Sequence, residues 1–398
     1  MPSQRELFFR YLAQTSPSPL AIEIAYAQGV YLYTSEGKKI IDLISGIAVS
    51  NVGHRHPKVQ QAIENQLNKY WHVMVYGELI QSPQNELAYH LCQTLPSHLN
   101  NVYFTNSGSE AIEGAMKLAK RFTQRTQIIT CYNAYHGSSQ GALSISGNEK
   151  FKQAYRPLLP DIQYIHYGSF SDLDKITRRT AAVFVETIQG EAGVKIACTH
   201  YFQALQCRCR EVGALLVLDE IQSGFGRTGK FWAFEHFAVQ PDILVCAKGM
   251  GGGMPIGAFI SSQEIMRTLT YNPILGHITT FGGHPVSCAA SLATLQVIQE
   301  ENLLAQVEPK AQLFRELLKH PKILNFRNIG LMIALEFENF ATLKPIIDKA
   351  IQLGVLTDWF LYCDNAMRIA PPLIITESQI REACQLILQA IEAGIKHN

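Results

Sequence analysis

From about Tyr103 to Ser261, seven short apolar runs rich in β-branched and aromatic residues alternate with longer stretches of helical periodicity. The runs are Val102-Tyr103-Phe104, Ile128-Ile129-Thr130, Ile162 to Ile165, Ala182 to Val185, Leu215 to Leu218, Ile243 to Ala247 and Ile256 to Ile260. Runs this short, bounded by turn residues, read as strands, and strands separated by helices pair side by side in a largely parallel sheet. In the first intervening stretch, Glu110 to Phe122, the residues Ile112, Ala115, Met116, Ala119 and Phe122 fall on one helical face, as core packing requires.

Beyond Pro285 the pattern changes. A long helix is expected to about Gln299, a second to Lys319, two strands around Gly330 between Ile323 and Phe337, another helix, a short strand at Met367 to Ala370 and a terminal helix from Glu377. The chain of 398 residues is long enough for two packed cores. The expected division is a large α/β unit over 46–290 and a smaller α+β unit over 291–398. An N-terminal segment, 1–45, carries the strand-like Val30 to Tyr33 and is expected to pack with the small unit.

Composition excludes several functions. Thirty-four basic residues against 33 acidic give a formal net charge of +1, which offers no electrostatic footprint for nucleic acid or an anionic membrane. The nine cysteines are odd in number and mostly embedded in apolar segments, which fits reduced thiols, and the lone pair Cys207/Cys209 lacks the companions of a zinc site. Met1 to Arg10 has no apolar signal core and no apolar run reaches bilayer-spanning length, so a cytoplasmic protein is expected.

Two strand ends carry charge. Lys248 follows Ile243 to Ala247 and opens onto glycines, and Asp219 ends Leu215 to Leu218 in the same manner. Alone, the lysine reads equally as a snorkelling strand-end charge or as an amine kept neutral by burial. In a parallel sheet both side chains emerge at the edge where ligands bind. A lysine and a carboxylate there match the needs of pyridoxal phosphate: an amine for its aldehyde and an anion against its pyridine nitrogen. Ser107-Gly108-Ser109 follows the first strand and opens a helix, so amides, hydroxyls and the helix dipole converge as a phosphate cradle; an ordinary N-cap is the alternative reading. A nicotinamide site is disfavoured because this turn is not G-x-G-x-x-G.

The segments Asn106 to Ala111, Tyr135-His136-Gly137, Glu186 to Gly193, Leu218 to Gly229, Lys248-Gly249, Thr279 to Gly283 and Arg368 to Pro372, in this order, resemble the class III pyridoxal-phosphate aminotransferases. Among them the likeness is greatest to the acetylornithine and ornithine enzymes. The resemblance implies a fold-type I transferase: an α/β large domain with a mostly parallel seven-stranded sheet, a smaller α+β domain, and a homodimer with shared sites. It implies transfer from an ω-amino donor to a 2-oxo acid such as 2-oxoglutarate, by a ping-pong route.

The same resemblance assigns roles. Lys248 joins the cofactor's aldehyde and then serves as general base, and Asp219 keeps the pyridine nitrogen protonated. Ser107, Gly108 and Ser109 hold the phosphate, Gln222 the ring oxygen, and Tyr135 stacks on the ring, with His136 and Glu186 beside it. Thr280 reaches the neighbouring subunit's phosphate. Glu191 pairs with Arg368, masking it for the amine half-reaction and releasing it for a carboxylate.

Ser138 departs from the family pattern, since many glutamate-using members carry arginine there. A serine cannot neutralise a distal carboxylate, and Arg55 is a candidate to compensate. His54, His56, His136 and His284 give no metal spacing and are expected to cap turns, and Arg227 to clamp its loop. A mutase, racemase or decarboxylase on the same scaffold, and an inactive binding module, stand as alternative readings.

Overall fold

The structure is a computed structural model that describes residues 2–395. Met1 and residues 396–398, at the ends of the expected first and last segments, lie outside the described residues.

The seven expected runs form one seven-stranded sheet. In spatial order its strands are Asn101–Thr105, Gly257–Ser261, Ile243–Ala247, Leu215–Asp219, Thr180–Glu186, Gln127–Cys131 and Ile162–Ile165. Gly257–Ser261 runs antiparallel to both neighbours, and the other pairings are parallel. The four strands at and beside the centre are buried along their whole length, which is why they read as continuous apolar runs without alternation.

Register sets the edge. Glu186 lies opposite Asp219, and Asp219 opposite Val245, so Glu186, Asp219 and the Lys248 turn leave the sheet side by side. Next to them the Gly108–Thr123 helix starts directly after Asn101–Thr105. Its buried face includes Ile112, Ala115, Met116 and Ala119, as periodicity predicted, and Ser107 caps its first turn by accepting from the Glu110 amide at 3.2 Å.

The Pro285–Glu300 and Leu303–Leu317 helices follow, the first with proline at its opening position, where the missing N–H costs nothing. Asn325–Ile329, Met332–Glu336, Cys363–Ile369 and Asp358–Phe360 then make an antiparallel four-stranded sheet. The N-terminal strands Ile24–Gln28, Tyr31–Thr34 and Lys39–Asp42 form a third sheet, closed by Val355–Leu356 running parallel to Lys39–Asp42. Sequence periodicity found only the middle of these three N-terminal strands and passed over Val355–Leu356 and Asp358–Phe360, which at two and three residues are too short to show a pattern.

No helix among the described residues is long and apolar enough to cross a membrane, and all nine cysteines are free. Cys207 and Cys209 lie on the Thr199–Val212 helix as expected.

Arg227 ties these parts together. It is fully buried and donates to Leu331 O at 3.2 Å, Pro371 O at 2.5 Å and Asn51 Oδ1 at 2.6 Å, so one guanidinium spans three separate segments. Burial pulls its pKa down to about 9. Arg227→Leu is expected to leave three buried acceptors unpaired and destabilise the fold by about 3 kcal/mol or more. A thermal midpoint equal to that of the wild type would contradict this clamp.

Candidate active site

A cavity of about 710 Å³ opens where the strands Thr180–Glu186, Leu215–Asp219 and Ile243–Ala247 end. Lys248, Asp219, Ser107, Tyr135, Glu186 and Glu191 all face it, so most of the residues singled out from sequence converge on one space. Its size is that of a small-molecule site.

Lys248 has a left-handed backbone, φ 48°, which breaks the strand sharply and sends the side chain along the cavity wall. Burial lowers its pKa, with Arg368 acting in the same direction and Glu191 opposing. Burial thus favours the free amine, the form that acts as a nucleophile or base.

Asp219 is fixed at both oxygens. Oδ1 accepts from the Ile221 amide at 2.9 Å and Oδ2 lies 2.7 Å from His136 Nδ1. His136 therefore orients the carboxylate instead of capping a turn. Its other ring nitrogen, Nε2, is buried with no partner. The remaining histidines expected to cap do not do so either: His54 pairs with Asp42 at 2.8 Å, while His56 and His284 occupy N-cap positions without a side-chain cap bond. Glu220, adjacent in sequence to Asp219, points elsewhere and accepts from Thr187 Oγ1, Ser223 Oγ and the amides of Ala233 and Phe234. Burial raises its pKa to about 7.

The cradle at the start of the Gly108–Thr123 helix presents amides that have no intrahelical acceptor. Ser107 Oγ is partly spent on the cap, and Ser109 Oγ lies 2.6 Å from Ser139 Oγ and accepts from the Ser139 amide at 3.1 Å. Ser139 in turn donates to Glu113 Oε1 at 2.6 Å, and that carboxylate also accepts from the Gly141 and Ala142 amides. Gly137 has φ 126°, and a Cβ there would stand 2.5 Å from Ser109 Oγ, so only glycine lets the Tyr135 loop close on the cradle. Ser139 and Glu113 escaped the sequence reading because neither belongs to a motif.

Glu186 accepts from the Tyr135 amide at 2.8 Å and the Gly190 amide at 3.0 Å, which pins both loops. Burial, reinforced by Asp219, lifts its pKa well above the carboxylate range. Gln222 directs its amide to Glu191 Oε1 at 3.2 Å. A Cβ on Gly190 would fall 1.7 Å from Gln222 Oε1, so a side chain there would displace Gln222.

Glu191 and Arg368 form a buried bidentate pair, Nη1 to Oε1 at 2.8 Å and Nη2 to Oε2 at 3.0 Å. Leu361 N also donates to Glu191 Oε2, and burial of this carboxylate is outweighed by Arg368, so its pKa is lowered. Antiparallel register sets Asp358 opposite Arg368, with Oδ1 2.9 Å from Nε though off the N–H direction. Burial raises the Asp358 pKa to about 6. Asp358 was missed because its strand was missed.

Tyr135 half-buries its ring, with Tyr362 at 6.3 Å, and its hydroxyl lies 3.3 Å from Ser138 Oγ. Arg55 is exposed, lies outside the lining of its own chain's cavity and turns to Gln60 Oε1 at 3.4 Å, so it does not stand in for a basic residue at Ser138 within the same chain. Thr280 is exposed and outside the lining of its own chain's cavity, while Thr279 Oγ1 accepts from Asn106 Nδ2 at the rim.

The residues present fit pyridoxal phosphate. A lysine with lowered pKa, an oriented carboxylate, a helix start with open amides and a loop that only glycine lets close surround a space of suitable size. Lys248 should be carbamylated by cyanate in cofactor-free protein with a pH midpoint below that of an ordinary exposed lysine, because its neutral form is favoured. Equal midpoints, read by peptide mapping, would contradict that environment.

Comparison with known proteins gives one answer. The family model for aminotransferase class III matches residues 11–391. An acetylornithine aminotransferase of Methanopyrus kandleri is 37% identical over 395 residues, covering 98% of this chain and 99% of that protein. The Bacillus subtilis acetylornithine aminotransferase is 38% identical over 379 residues, covering 93% and 95%. Among solved structures, an ornithine aminotransferase of Toxoplasma gondii, described with partial occupancy of PLP at its active site, superposes with a TM-score of 0.91 at 28% identity, covering 98% of this chain and 94% of that one. A transaminase of the marine bacterium Virgibacillus gives a TM-score of 0.92 at 27% identity, covering 99% of each chain.

Proposed function

The chain belongs to the class III aminotransferases and is a pyridoxal-phosphate-dependent enzyme, and we propose that it moves a terminal amino group from an ω-amino donor to a 2-oxo acid such as 2-oxoglutarate. Ornithine and N-acetylornithine are donors of this kind. The observation that carries the reading is that Glu191, on the wall of the cavity that Lys248 and Asp219 also line, holds Arg368 in a buried bidentate pair.

Bound pyridoxal phosphate supplies an aldehyde that takes up the amine nitrogen and a ring that draws off the electrons left when the neighbouring carbon loses its proton. The chain's own residues do the rest. Lys248 Nζ, whose free-amine form burial favours, would hold the cofactor at its aldehyde and would serve as the base that takes and returns the substrate proton. Asp219, oriented by His136 and the Ile221 amide, stabilises positive charge at the ring nitrogen. The amides of Gly108 and Ser109 with the hydroxyl of Ser107 would bind phosphate, Tyr135 would cover the ring face and Gln222 would hydrogen-bond the ring oxygen, while Glu186 keeps the Tyr135 and Gly190 loops in place.

The gate handles two unlike substrates in turn. With Glu191 on Arg368 the site carries no free guanidinium, which suits an amine. When Glu191 swings away, Arg368 offers its fork to the carboxylate next to the 2-oxo group. A racemase or decarboxylase, handling one substrate, has less use for such a pair.

Exposed Trp71, Ile80, Ile274 and Phe281 support a homodimer. They lie on two segments that meet where the His72 and Phe281 rings stand 4.8 Å apart, and they are 70%, 95%, 73% and 53% exposed. In that dimer Thr280 reaches the partner's phosphate site. The large unit, 46–290, carries the cofactor site and the small unit, 291–398, brings in Arg368 with the N-terminal segment 1–45 beside it. Free cysteines fit a reducing, cytoplasmic setting.

The direct test follows labelled nitrogen from an ω-amino donor to the 2-oxo acid in the presence of cofactor. Transfer is expected with the wild type and its loss with Lys248→Ala; an active Lys248→Ala enzyme overturns the assignment. Glu191→Gln is expected to lower the KM for the 2-oxo acid, because Arg368 is left unmasked, and to reduce kcat/KM for the amine donor about tenfold or more. No change in either constant would contradict the gate.

A further inference from the structure

Arg368 keeps a second set of contacts that do not depend on Glu191. The three-residue strand Asp358–Phe360 turns every one of its residues to it: Asp358 Oδ1 stands 2.9 Å from Nε, Trp359 O accepts from Nη2 at 3.3 Å, and the guanidinium carbon lies 4.7 Å over the Phe360 ring. Thr357 Oγ1 donates to Arg368 O at 2.6 Å, so backbone and guanidinium are both pinned. Glu191 takes the Nη1–Nη2 fork.

The Asp358 contact is one of charge. Its Oδ1 lies off the N–H direction, and neither that oxygen nor Arg368 Nε has another partner among the described residues. Arg368 is 4% exposed, and burial works against its charge until Glu191 and then Asp358 outweigh it. Burial raises the Asp358 pKa to about 6, so at pH 8 its carboxylate is charged.

The gate needs an anion in this place. For a substrate carboxylate to take the fork, Glu191 must leave it, and a buried guanidinium without a counter-ion is costly. Lys248, on the cavity wall that Glu191 lines, has the same sign when charged and gives no relief. Resting on the proposed aminotransferase reading, we infer that Asp358 is the counter-ion that stays with Arg368 while Glu191 is away, speeding the exchange of occupants without favouring either. It touches no substrate in this scheme and acts through Arg368, as a positioning residue.

The neutrality between occupants follows from symmetry. Glu191 and a substrate carboxylate bind the same two N–H-bearing nitrogens, so each meets the Asp358 charge at the same separation and is weakened alike. Only the state with the fork empty gains. Asp358 therefore lowers the barrier between two occupants, and its charge shows in the equilibrium only where the competing carboxylate of Glu191 has been removed.

The test uses enzyme loaded with pyridoxamine phosphate at pH 8 and mixed with pyruvate, whose single carboxylate addresses Arg368 alone; cofactor absorbance follows single turnovers. Asp358→Asn, which keeps the shape of the side chain, should slow the limiting rate about fivefold while moving the half-saturating pyruvate concentration by no more than about twofold. In a Glu191→Gln background the same substitution should lower the half-saturating concentration about tenfold. Asp358→Ser, a smaller side chain, should repeat both results. A half-saturating concentration raised in the Glu191→Gln background, as loss of a merely structural contact would give, overturns the counter-ion role and leaves the aminotransferase reading standing, as does a limiting rate indifferent to Asp358→Asn. A loaded wild type that turns over with neither pyruvate nor 2-oxoglutarate overturns both.

Discussion

Everything at the site depends on the register of three parallel strands. Because Glu186 pairs with Asp219 and Asp219 with Val245, a carboxylate, a second carboxylate and the Lys248 turn reach one edge of the sheet side by side. A slip of one residue would send each side chain to the opposite face. That register is held by strands buried on both sides, so the hydrophobic core fixes the geometry of the charged groups above it.

The edge then sorts its charges by environment. Glu186, deeply buried beside Asp219, is driven towards its neutral form and serves as an acceptor for two loop amides. Glu191, buried as well, stays charged because Arg368 grips both of its oxygens. Burial moves Lys248 the other way, towards the free amine. Three groups of ordinary chemistry thus acquire three different protonation tendencies, which a gated two-substrate reaction can use.

The sequence was most informative where structure is strongly patterned. Seven apolar runs and the Ile112 to Ala119 face appear as read, since burial leaves a periodic trace. So does the convergence of Lys248, Asp219, Ser107 and Tyr135, because loops between strand ends must meet at one edge. What stayed hidden depends on contacts remote in sequence. Asp358 faces Arg368 only through a three-residue strand, Glu113 holds the cradle loop from one turn along a helix, and the histidines read as caps find other partners, His136 the most consequential of them. Arg55 sits near the right part of the chain yet points away, which no spacing rule reveals.

The central claim is that Asp219, oriented by His136, sets the charge of the cofactor ring. Its most direct measurement is the nitrogen-15 chemical shift of the pyridine nitrogen in protein loaded with labelled pyridoxal phosphate. The account predicts a protonated nitrogen throughout the neutral and mildly alkaline range, and an unprotonated one in Asp219→Asn. A wild-type nitrogen that loses its proton as the free cofactor does, or one indifferent to Asp219→Asn, would contradict it.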